Sequence, residues 1–398
     1  MSHCRYRLSE MGIVCALGAD VGEVERRLAA GDQSGMKPLG GLSGGESTFF
    51  GFAARMPSPA TIGERVKSVP GLPRVGVLVD AAMEQLSAAL EAAKSRYGAA
   101  RVGAVVGTSN STMEEFTDTP DVIDMSWPAR RLRERWGVEG PCWAVSTACS
   151  SSAKVFASAR RLIERGLCDA VVVGGADAYT RTVVEGFHAL EALSPGLARP
   201  LAPDRDGINL GEGAAFFLME RDGAEGPGGR PVWLCSVGES SDAYHLTAPD
   251  PEGKGAEAAM RLALEDAGLS PREIDFINLH GTGTQQNDAM ECAAVRRIFG
   301  GKEPAGGCSP ADGLEVRVVS TKGLTGHCLG AAGAVEAALC WIELRRSPAV
   351  CMSNSFAFGG SNASVVLASR HARGLLCQRA LTQAHAPGAE ARIRAGAH

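Results

Sequence analysis

The sequence has few aromatic residues, no long apolar run and no local metal-binding motif, and each shortage argues against a class of protein. Phenylalanine, tryptophan and tyrosine make up 5% of the 398 residues, so the core is not built mainly on aromatic rings. No run of about 18 apolar residues occurs, and no basic start leads into an uninterrupted apolar stretch, which argues against membrane spanning and secretion. The 12 cysteines are scattered singly, without a CxxC pair or a Cys/His cluster at metal-ligand spacing. We interpret them as reduced thiols, and the expected location is cytoplasmic.

An excess of positive charge is also lacking. The chain carries 40 lysine and arginine residues against 45 aspartate and glutamate residues, a formal net charge of −5. This balance gives no general attraction for polyanions, so nucleic acid is not an expected partner. A local basic patch stays open as a landing site for an acidic protein, and a solvated helix face is the alternative for the same residues: Arg130, Arg131, Arg133 and Arg135.

Glycine is abundant, at 50 residues or about one in eight, against roughly 7% in an average protein. Small residues in this number favour close packing of helices and many tight turns. The hydrophobic fraction of 45% and the charged fraction of 21% are near the average of globular proteins. The chain is therefore expected to fold around a sizeable core.

Short apolar runs alternate with helical stretches along the chain. Strands are predicted at residues 102–106, 170–173, 276–279, 316–319 and 364–367. Helices are predicted at residues 80–97, 150–165, 256–267 and 333–345. Because the strand runs are continuously apolar, we expect an α/β fold whose sheet is covered by helices on both faces.

Two segments of the chain resemble each other and indicate a duplicated architecture. TACSSSAKVFASARRLIERG and TGHCLGAAGAVEAALCWIEL each begin with a threonine, a reactive type of residue and small residues, and then continue into an alanine-lined helix. The alternative is that alanine-rich helices are simply common. The duplication predicts halves at 1–245 and 246–370, and the Ala/Arg/Gly-rich residues 371–398 are predicted to be a flexible tail.

Cys149 lies directly after a short apolar run and at the start of a predicted helix. Backbone N–H groups and the helix dipole stabilise a thiolate at such a position and lower its pKa below the free value of about 8.5. The position is therefore that of a nucleophile, although a buried and inert cysteine is the common alternative.

Two histidines occupy comparable positions. His280 follows a predicted strand and precedes a glycine-rich loop, and His327 lies between a strand and a helix. Sites in α/β sheets assemble at the carboxyl ends of the strands, so both side chains are candidates to meet Cys149. A merely structural histidine is the alternative for each.

Four ordered motifs, TACSSS, HGTGTQQND, STKGLTGHCLGAAG and NSFAFGGSN, resemble the β-ketoacyl-acyl-carrier-protein synthases of the thiolase superfamily. The set resembles the elongating types I and II. The resemblance implies a five-layered α/β/α/β/α thiolase-type fold built from two similar halves. It also implies decarboxylative Claisen condensation of a cysteine-bound acyl chain with malonyl-carrier protein, in fatty acid or specialised polyene or polyketide biosynthesis. The expected partners are an acyl carrier protein and a second subunit, in a homodimer or a heterodimer.

The resemblance assigns catalytic roles to individual residues. Cys149 is the nucleophile, and His280 and His327 are hydrogen-bond donors to the enolate. Lys322 is a nearby cation, for which a solvated loop lysine is the alternative. The backbone N–H groups of Cys149 and Phe358 form the oxyanion hole. No metal and no cofactor are required, because the substrates are carried on the phosphopantetheine of the carrier protein.

Further residues are assigned to substrate binding and support. Thr282 and Thr284 match threonines that bind the phosphopantetheine arm, where local turn structure is the alternative. Asp288 and Glu291 match an acidic pair behind the site, and Glu291 is expected to pair with Lys322. The expected acyl-pocket residues are Phe187, Phe356 and Asn110. For Asn110, a position facing the dimer partner is an equal alternative.

Two residues depart from the family pattern. Ala357 replaces a glycine in the loop that gates the acyl pocket, which reduces its freedom to adopt a positive φ. Asn287 replaces another glycine, and asparagine tolerates left-handed backbone better than most residues. Two alternatives remain: a thiolase, which lacks support because FAFGGSN has no second cysteine, and a non-catalytic chain-length-determining partner, which the presence of Cys149 disfavours.

Overall fold

The protein is described by a computed structural model over residues 6–64, 71–113, 123–221, 231–300 and 316–369. The predicted tail at 371–398 lies outside these residues. The helices are α1 (Val21–Ala30), α2 (Arg74–Tyr97), α3 (Trp127–Trp136), α4 (Ser151–Glu164), α5 (Arg181–Ala189), α6 (Lys254–Ala267), α7 (Gln285–Phe299), α8 (Lys322–Thr325) and α9 (Ala332–Arg346).

The strands are β1 (Tyr6–Val14), β2 (Met36–Leu39), β3 (Thr48–Gly51), β4 (Val102–Gly107), β5 (Cys142–Val145), β6 (Ala170–Asp177), β7 (Leu210–Gly211), β8 (Gly213–Arg221), β9 (Val232–Ser241), β10 (Phe276–Asn278), β11 (Arg317–Val319), β12 (Val350–Phe356) and β13 (Ser361–Ser369). Every strand and helix predicted from the apolar patterns is present, with boundaries shifted by a few residues at most places. The largest shift is at α2, which begins six residues before the predicted start.

Ten strands form one sheet whose pairing pattern repeats. Their order is β11-β10-β12-β13-β9-β1-β8-β6-β4-β5. In the first half, β5, β4 and β6 are parallel and β8 lies antiparallel between β6 and β1. In the second half, β11, β10 and β12 are parallel and β13 lies antiparallel between β12 and β9. The sheet is therefore built from two similar halves, which β1 and β9 join through a short antiparallel pairing.

The position of β9 bears on the boundary between the halves. Residue 245, where the boundary is predicted, follows β9, yet the pairing pattern groups β9 with the second half. By strand order the second half begins at Val232. The apolar runs of β8 and β9 are close together in sequence, and only their pairing distinguishes which half each belongs to.

Helices α4 and α9 pack against each other in the central layer, between the two halves of the sheet. Helices α2 and α3 cover the outer face of the first half, and α6 and α7 cover that of the second. A Cβ atom at Gly333 would lie 2.7 Å from the backbone nitrogen of Ala153, so this close approach requires glycine. The Ser152 hydroxyl accepts a hydrogen bond from Ala334 N at 2.8 Å and fastens the two helices. The predicted five-layered arrangement is confirmed.

Two further features concern the expected cellular setting. Within the described ranges, none of the helices has the length and apolar character needed to cross a bilayer. The prediction of reduced cysteines holds for the eight thiols that the structure leaves free, but it is wrong for Cys292 on α7, which is disulfide-bonded. Disulfide pairing depends on distances in the folded chain, which the scattered cysteine positions do not reveal.

Candidate active site

Three loops bring Cys149, His280 and His327 together. Cys149 follows β5, His280 follows β10, and His327 follows the short helix α8 beyond β11. The three loops thus begin beyond the carboxyl ends of parallel strands, β5 in the first half and β10 and β11 in the second. The thiol sulfur and one imidazole nitrogen of each histidine lie within 4.8 Å of one another, and all three residues are buried. The sequence prediction that they converge therefore agrees with the geometry.

The turn before α4 holds the Cys149 thiol against backbone donors. Ala148 adopts a positive φ of 51°, and the Ser151 hydroxyl accepts a hydrogen bond from Thr147 N at 2.9 Å. The backbone N–H groups of Phe358 and of Cys149 itself both face the sulfur and lower the pKa of the thiol. Two converging N–H donors are the geometry of an oxyanion hole.

Burial dominates the electrostatics of Cys149. Desolvation raises the pKa of the thiol to about 12, although the positive charge of Lys322 acts in the opposite direction. The expectation of a lowered pKa from the helix start is therefore wrong for the unliganded site. A cysteine in this state is a protonated thiol that needs a base when it attacks.

Both histidines are held as neutral imidazoles. Burial, followed by the charge of Lys322, lowers the pKa of His280 and of His327 well below the usual value of 6.5. The Lys322 ammonium lies 3.4 Å from His280 Nδ1, and an ammonium can only donate, so the His280 proton belongs on Nε2. His327 Nδ1 and Nε2 are both buried without a hydrogen-bond partner among the described residues.

The backbone of His327 is fixed by a small second sheet. Strand β7 pairs with β3 in a three-stranded sheet with β2. His327 N donates to Asn209 O at 2.8 Å, and Gly211 N donates to His327 O at 3.0 Å. The main chain at His327 is thus held at β7, while its imidazole forms no hydrogen bond within the part of the chain that the structure describes.

The partner of Lys322 differs from the expected one. Lys322 forms a buried ion pair with Glu336 on α9, and not with Glu291. Burial raises the pKa of Glu336 to about 7, and Lys322 opposes this rise. Glu291 instead accepts hydrogen bonds from His280 N at 2.9 Å and Gly281 N at 2.8 Å. It therefore shapes the loop that carries His280.

Asp288 supports the neighbouring part of the same loop. Its carboxylate accepts hydrogen bonds from Leu201 N at 2.8 Å and Gly283 N at 3.2 Å, and Arg205 lies 3.5 Å away. Asp288 is buried, so these partners compensate its desolvation. Asp288 and Glu291 thus lie behind the site, as the resemblance implies.

A cavity of about 440 Å³ leads from the solvent to the reactive side chains. Thr282 and Thr284 line it, with their hydroxyl oxygens 2.9 Å apart. Phe187 and Phe358 stack across it with ring centroids 5.6 Å apart, and Phe356 lines its inner part near His280. The residues expected to contact substrate therefore line one cavity, with one exception.

The exception is Asn110, which does not line this cavity. Its side chain is buried and donates a hydrogen bond to Ala178 O at 2.8 Å. The backbone nitrogen of Asn110 donates to Asp177 at 3.1 Å, so the residue belongs to a turn held by that carboxylate. The side-chain N–H of Asn110 is thus paired within the chain, whereas its Oδ1 is buried without a hydrogen-bond partner among the described residues.

The two departures from the family pattern fit this conformation. Ala357 has φ −101° and ψ 156°, which any residue adopts, and the positive φ values fall on Gly359 and Gly360. Asn287 lies in the first turn of α7, where its N–H donates to the Thr284 cap, so no left-handed backbone is needed.

The arginine cluster on α3 is largely engaged within the chain. Arg130 pairs with Asp124 at 2.5 Å and Arg131 forms two hydrogen bonds with Asp80, while Arg133 donates to Gly140 O and Arg135 stacks on Trp136. These contacts lower the positive charge that the cluster offers to an acidic protein. A landing site there stays a prediction.

Two buried acidic residues were missed by the motif analysis. Glu336 is the single charged residue in the apolar stretch of α9 before Glu343, and a buried charge in such a helix signals a partner. Asp177 accepts hydrogen bonds from the Thr108 hydroxyl at 2.5 Å and from Gly330 N at 2.7 Å. It thereby ties the end of β4 to the loop that carries His327.

Lys322→Met should slow the alkylation of Cys149 by iodoacetamide. Removing the ammonium removes the charge that lowers the thiol pKa, so the thiolate fraction falls at every pH below that pKa. A rise of one pH unit in the pKa corresponds to a roughly tenfold slower reaction. The measurement is the alkylation rate between pH 7 and 10, with the exposed Lys254→Met as the matched control. An alkylation rate that is the same in Lys322→Met and wild type at each pH would contradict the electrostatic role.

Comparison with known proteins places this geometry in a family. Residues 72–224 match the family model described as the beta-ketoacyl synthase N-terminal domain, and residues 234–355 match that of the C-terminal domain. Nodulation protein E of Rhizobium sp. (strain N33) is 31% identical, over 92% of this chain and 99% of that protein. The 3-oxoacyl-[acyl-carrier-protein] synthase 2 of Coxiella burnetii is 29% identical over the same shares.

A solved structure is similar along nearly the whole chain. It is a ketosynthase in complex with its chain length factor, from Xenorhabdus doucetiae, with a TM-score of 0.78 and 36% identity. The alignment covers 92% of this chain and 98% of that one. The fold is thus shared with a solved ketosynthase along nearly the whole chain.

Proposed function

Because the chain belongs to the β-ketoacyl synthase family, we propose that it is a 3-oxoacyl-[acyl-carrier-protein] synthase that joins a cysteine-bound acyl chain to a malonyl unit. The observation that carries this proposal is the convergence of the Cys149 thiol with two neutral imidazoles and two backbone N–H donors. The thiol supplies a nucleophile, and the imidazoles and backbone N–H groups supply hydrogen bonds where negative charge develops.

The first step transfers the acyl group to Cys149. The thiol proton passes to the unpartnered imidazole of His327 as the sulfur attacks the thioester carbonyl of the acyl donor. The N–H groups of Cys149 and Phe358 stabilise the oxyanion. When the old carbon–sulfur bond breaks, the carrier thiolate takes the proton from His327. The His327 imidazole is then neutral again, and Cys149 carries the acyl group as a thioester.

The second step forms the carbon–carbon bond. Malonyl-carrier protein loses CO₂, and the electron pair of the broken bond produces an enolate. His280 and His327 donate N–H hydrogen bonds to the enolate oxygen, and neutral imidazoles do so without adding a proton to it. The enolate carbon attacks the Cys149 thioester, and the thiolate that leaves is reprotonated from solvent. No metal and no organic cofactor take part.

The partners proposed for this chain are an acyl carrier protein and a second ketosynthase-like subunit. The Xenorhabdus doucetiae relative was solved with a chain length factor, which supports a heterodimer, and a homodimer is the alternative. Strand β5 ends the sheet, and its Trp143 is 38% exposed, as expected of a surface that a second subunit covers.

The competing function is that of a non-catalytic subunit that sets chain length. The solved relative shows that such subunits share complexes with ketosynthases. A subunit of this kind would not need a nucleophile aligned with an oxyanion hole, which is why condensation is preferred here.

The test is intact-protein mass spectrometry of the full chain with a panel of acyl-carrier proteins, followed by malonyl-carrier protein. We expect an acyl adduct that disappears as a β-keto product two carbons longer forms. The same panel is applied to the chain co-expressed with a chain length factor. Folded protein that takes no acyl group in either form would favour the non-catalytic subunit.

A further inference from the structure

We propose that Cys149, His280 and His327 also form a binding site for a soft divalent cation of the zinc class, and that this cation blocks acylation. One thiol and two imidazoles are preferred zinc ligands, and their ligand atoms lie within 4.8 Å of one another. The residues are far apart in sequence, so no spacing pattern reveals the set. The binding of the cation does not depend on the proposed function, whereas the block of acylation rests on it.

His327 provides an independent sign of a missing ligand. Its side chain is 1% exposed, and neither ring nitrogen has a hydrogen-bond partner among the described residues. Buried polar atoms are nearly always paired, because an unpaired one loses its hydration without compensation. Coordination of a cation through one nitrogen compensates this loss.

The charges that line the cavity favour a cation. Its lining contains the carboxylates of Glu191, Asp206 and Asp242, and among its described lining residues there is no lysine or arginine. The nearest ammonium, Lys322, lies behind His280 and is paired with Glu336. The Glu336 carboxylate therefore partly offsets the repulsion between Lys322 and a bound cation, whereas the carboxylates of the cavity attract a cation from solvent.

The geometry requires only a small adjustment. Zinc lies about 2.3 Å from sulfur and about 2.0–2.1 Å from nitrogen, so the ligand atoms of a tetrahedral site are roughly 3.3–3.6 Å apart. The His327 imidazole has no hydrogen bond to break when it moves by about an ångström. The fourth position faces the cavity, where water completes the coordination. Binding releases the Cys149 thiol proton to the buffer, and the His280 proton moves from Nε2 to Nδ1, so that Nε2 can coordinate and Lys322 keeps its ion pair with Glu336.

A cation bound in this way occupies the same sulfur atom that accepts the acyl group. We therefore expect zinc to protect Cys149 from iodoacetamide and to inhibit acyl transfer, with both effects reversed by a chelator. Acylated protein should bind no zinc at this site, because a thioester sulfur is a poor ligand for the cation.

The experiment measures metal binding to chelator-treated full chain by equilibrium dialysis against ZnCl₂ alone. We expect one equivalent in the wild type, and affinity lowered by at least about a hundredfold in Cys149→Ala and His327→Ala, since loss of a direct ligand should cost no less than the 10–100-fold loss of a supporting one. Cys168→Ala, which removes a buried free thiol that is not part of the proposed ligand set, should bind as the wild type does.

A second measurement uses the wild type, so its result does not depend on whether the variants fold. Cobalt added to the wild type should produce a thiolate-to-metal absorption band, and prior alkylation of Cys149 should abolish it. Zinc binding that is equal in wild type and Cys149→Ala, or a cobalt complex without the band, would overturn the proposal. Because neither readout needs turnover, a chain that binds zinc but never condenses would refute only the proposed function.

Discussion

Cys149→Ala should abolish both the acyl adduct and condensation, with a loss of activity of at least about a thousandfold. The thiol is the atom that receives the acyl group, and alanine offers no nucleophile in its place. The oxyanion donors and the histidines remain, but without a thioester on the enzyme they have no acceptor to activate. Intact-protein mass spectrometry and product analysis measure the two losses separately.

The matched control for this prediction is Cys168→Ala. Cys168 is also buried with a free thiol, and burial raises its pKa to about 11, so it tests whether any buried cysteine accepts the acyl group. We expect the Cys168 variant to acylate and condense as the wild type does. An acyl adduct that persists in folded Cys149→Ala would show that another residue is the nucleophile.

The fold was predictable because its apolar pattern is unambiguous. Strand β4 is buried on both faces and has no polar residue, and β6 has none before its last residue, Asp177. The alanine-rich helices α4 and α9 suit a place where two helices approach closely. The boundary between the halves was less predictable. β9 is assigned to the second half by its pairing with β13, and pairing is a property of the folded chain.

The reactive residues of the site could be predicted from their types and from the order of the motifs. Cys149, His280 and His327 follow strands, and topology brings the ends of those strands together. The partner of Lys322 was not predictable from the motifs, because Glu336 is 14 residues further along and reaches it through the packing of α9. The raised pKa of Cys149 likewise results from burial, which outweighs the local helix start.

The position of Asn110 shows the same limit. Its type and motif suggested a polar acyl pocket, yet its amide donates to Ala178 O and its backbone to Asp177. A buried polar side chain forms hydrogen bonds with the partners that lie nearest in the folded chain, and the sequence does not show which partners these are. The expectation that Asn110 lines the acyl pocket therefore has no support in the described cavity.

His280→Ala should separate the two halves of the reaction. The acyl group should still reach Cys149, because His327 and the backbone donors of the first step are unchanged. Condensation should fall by about a hundredfold to a thousandfold, as expected when one donor to a developing oxyanion is removed. The Lys322–Glu336 pair remains intact, so the charge balance of the cavity is kept. The measurements are the acylation rate by mass spectrometry and the rate of product formation from preformed acyl-enzyme.

Two companion variants make this separation specific. His280→Gln keeps an N–H donor on a side chain of similar reach, so it should recover part of the condensation rate that alanine loses. His327→Ala should slow acylation as well, because the unpartnered His327 imidazole is the proposed base for the thiol proton. If His280→Ala slows acylation and condensation by the same factor, His280 acts on the thiol and not on the enolate. In that case the proposed role of His280 as a donor to the enolate alone would be wrong.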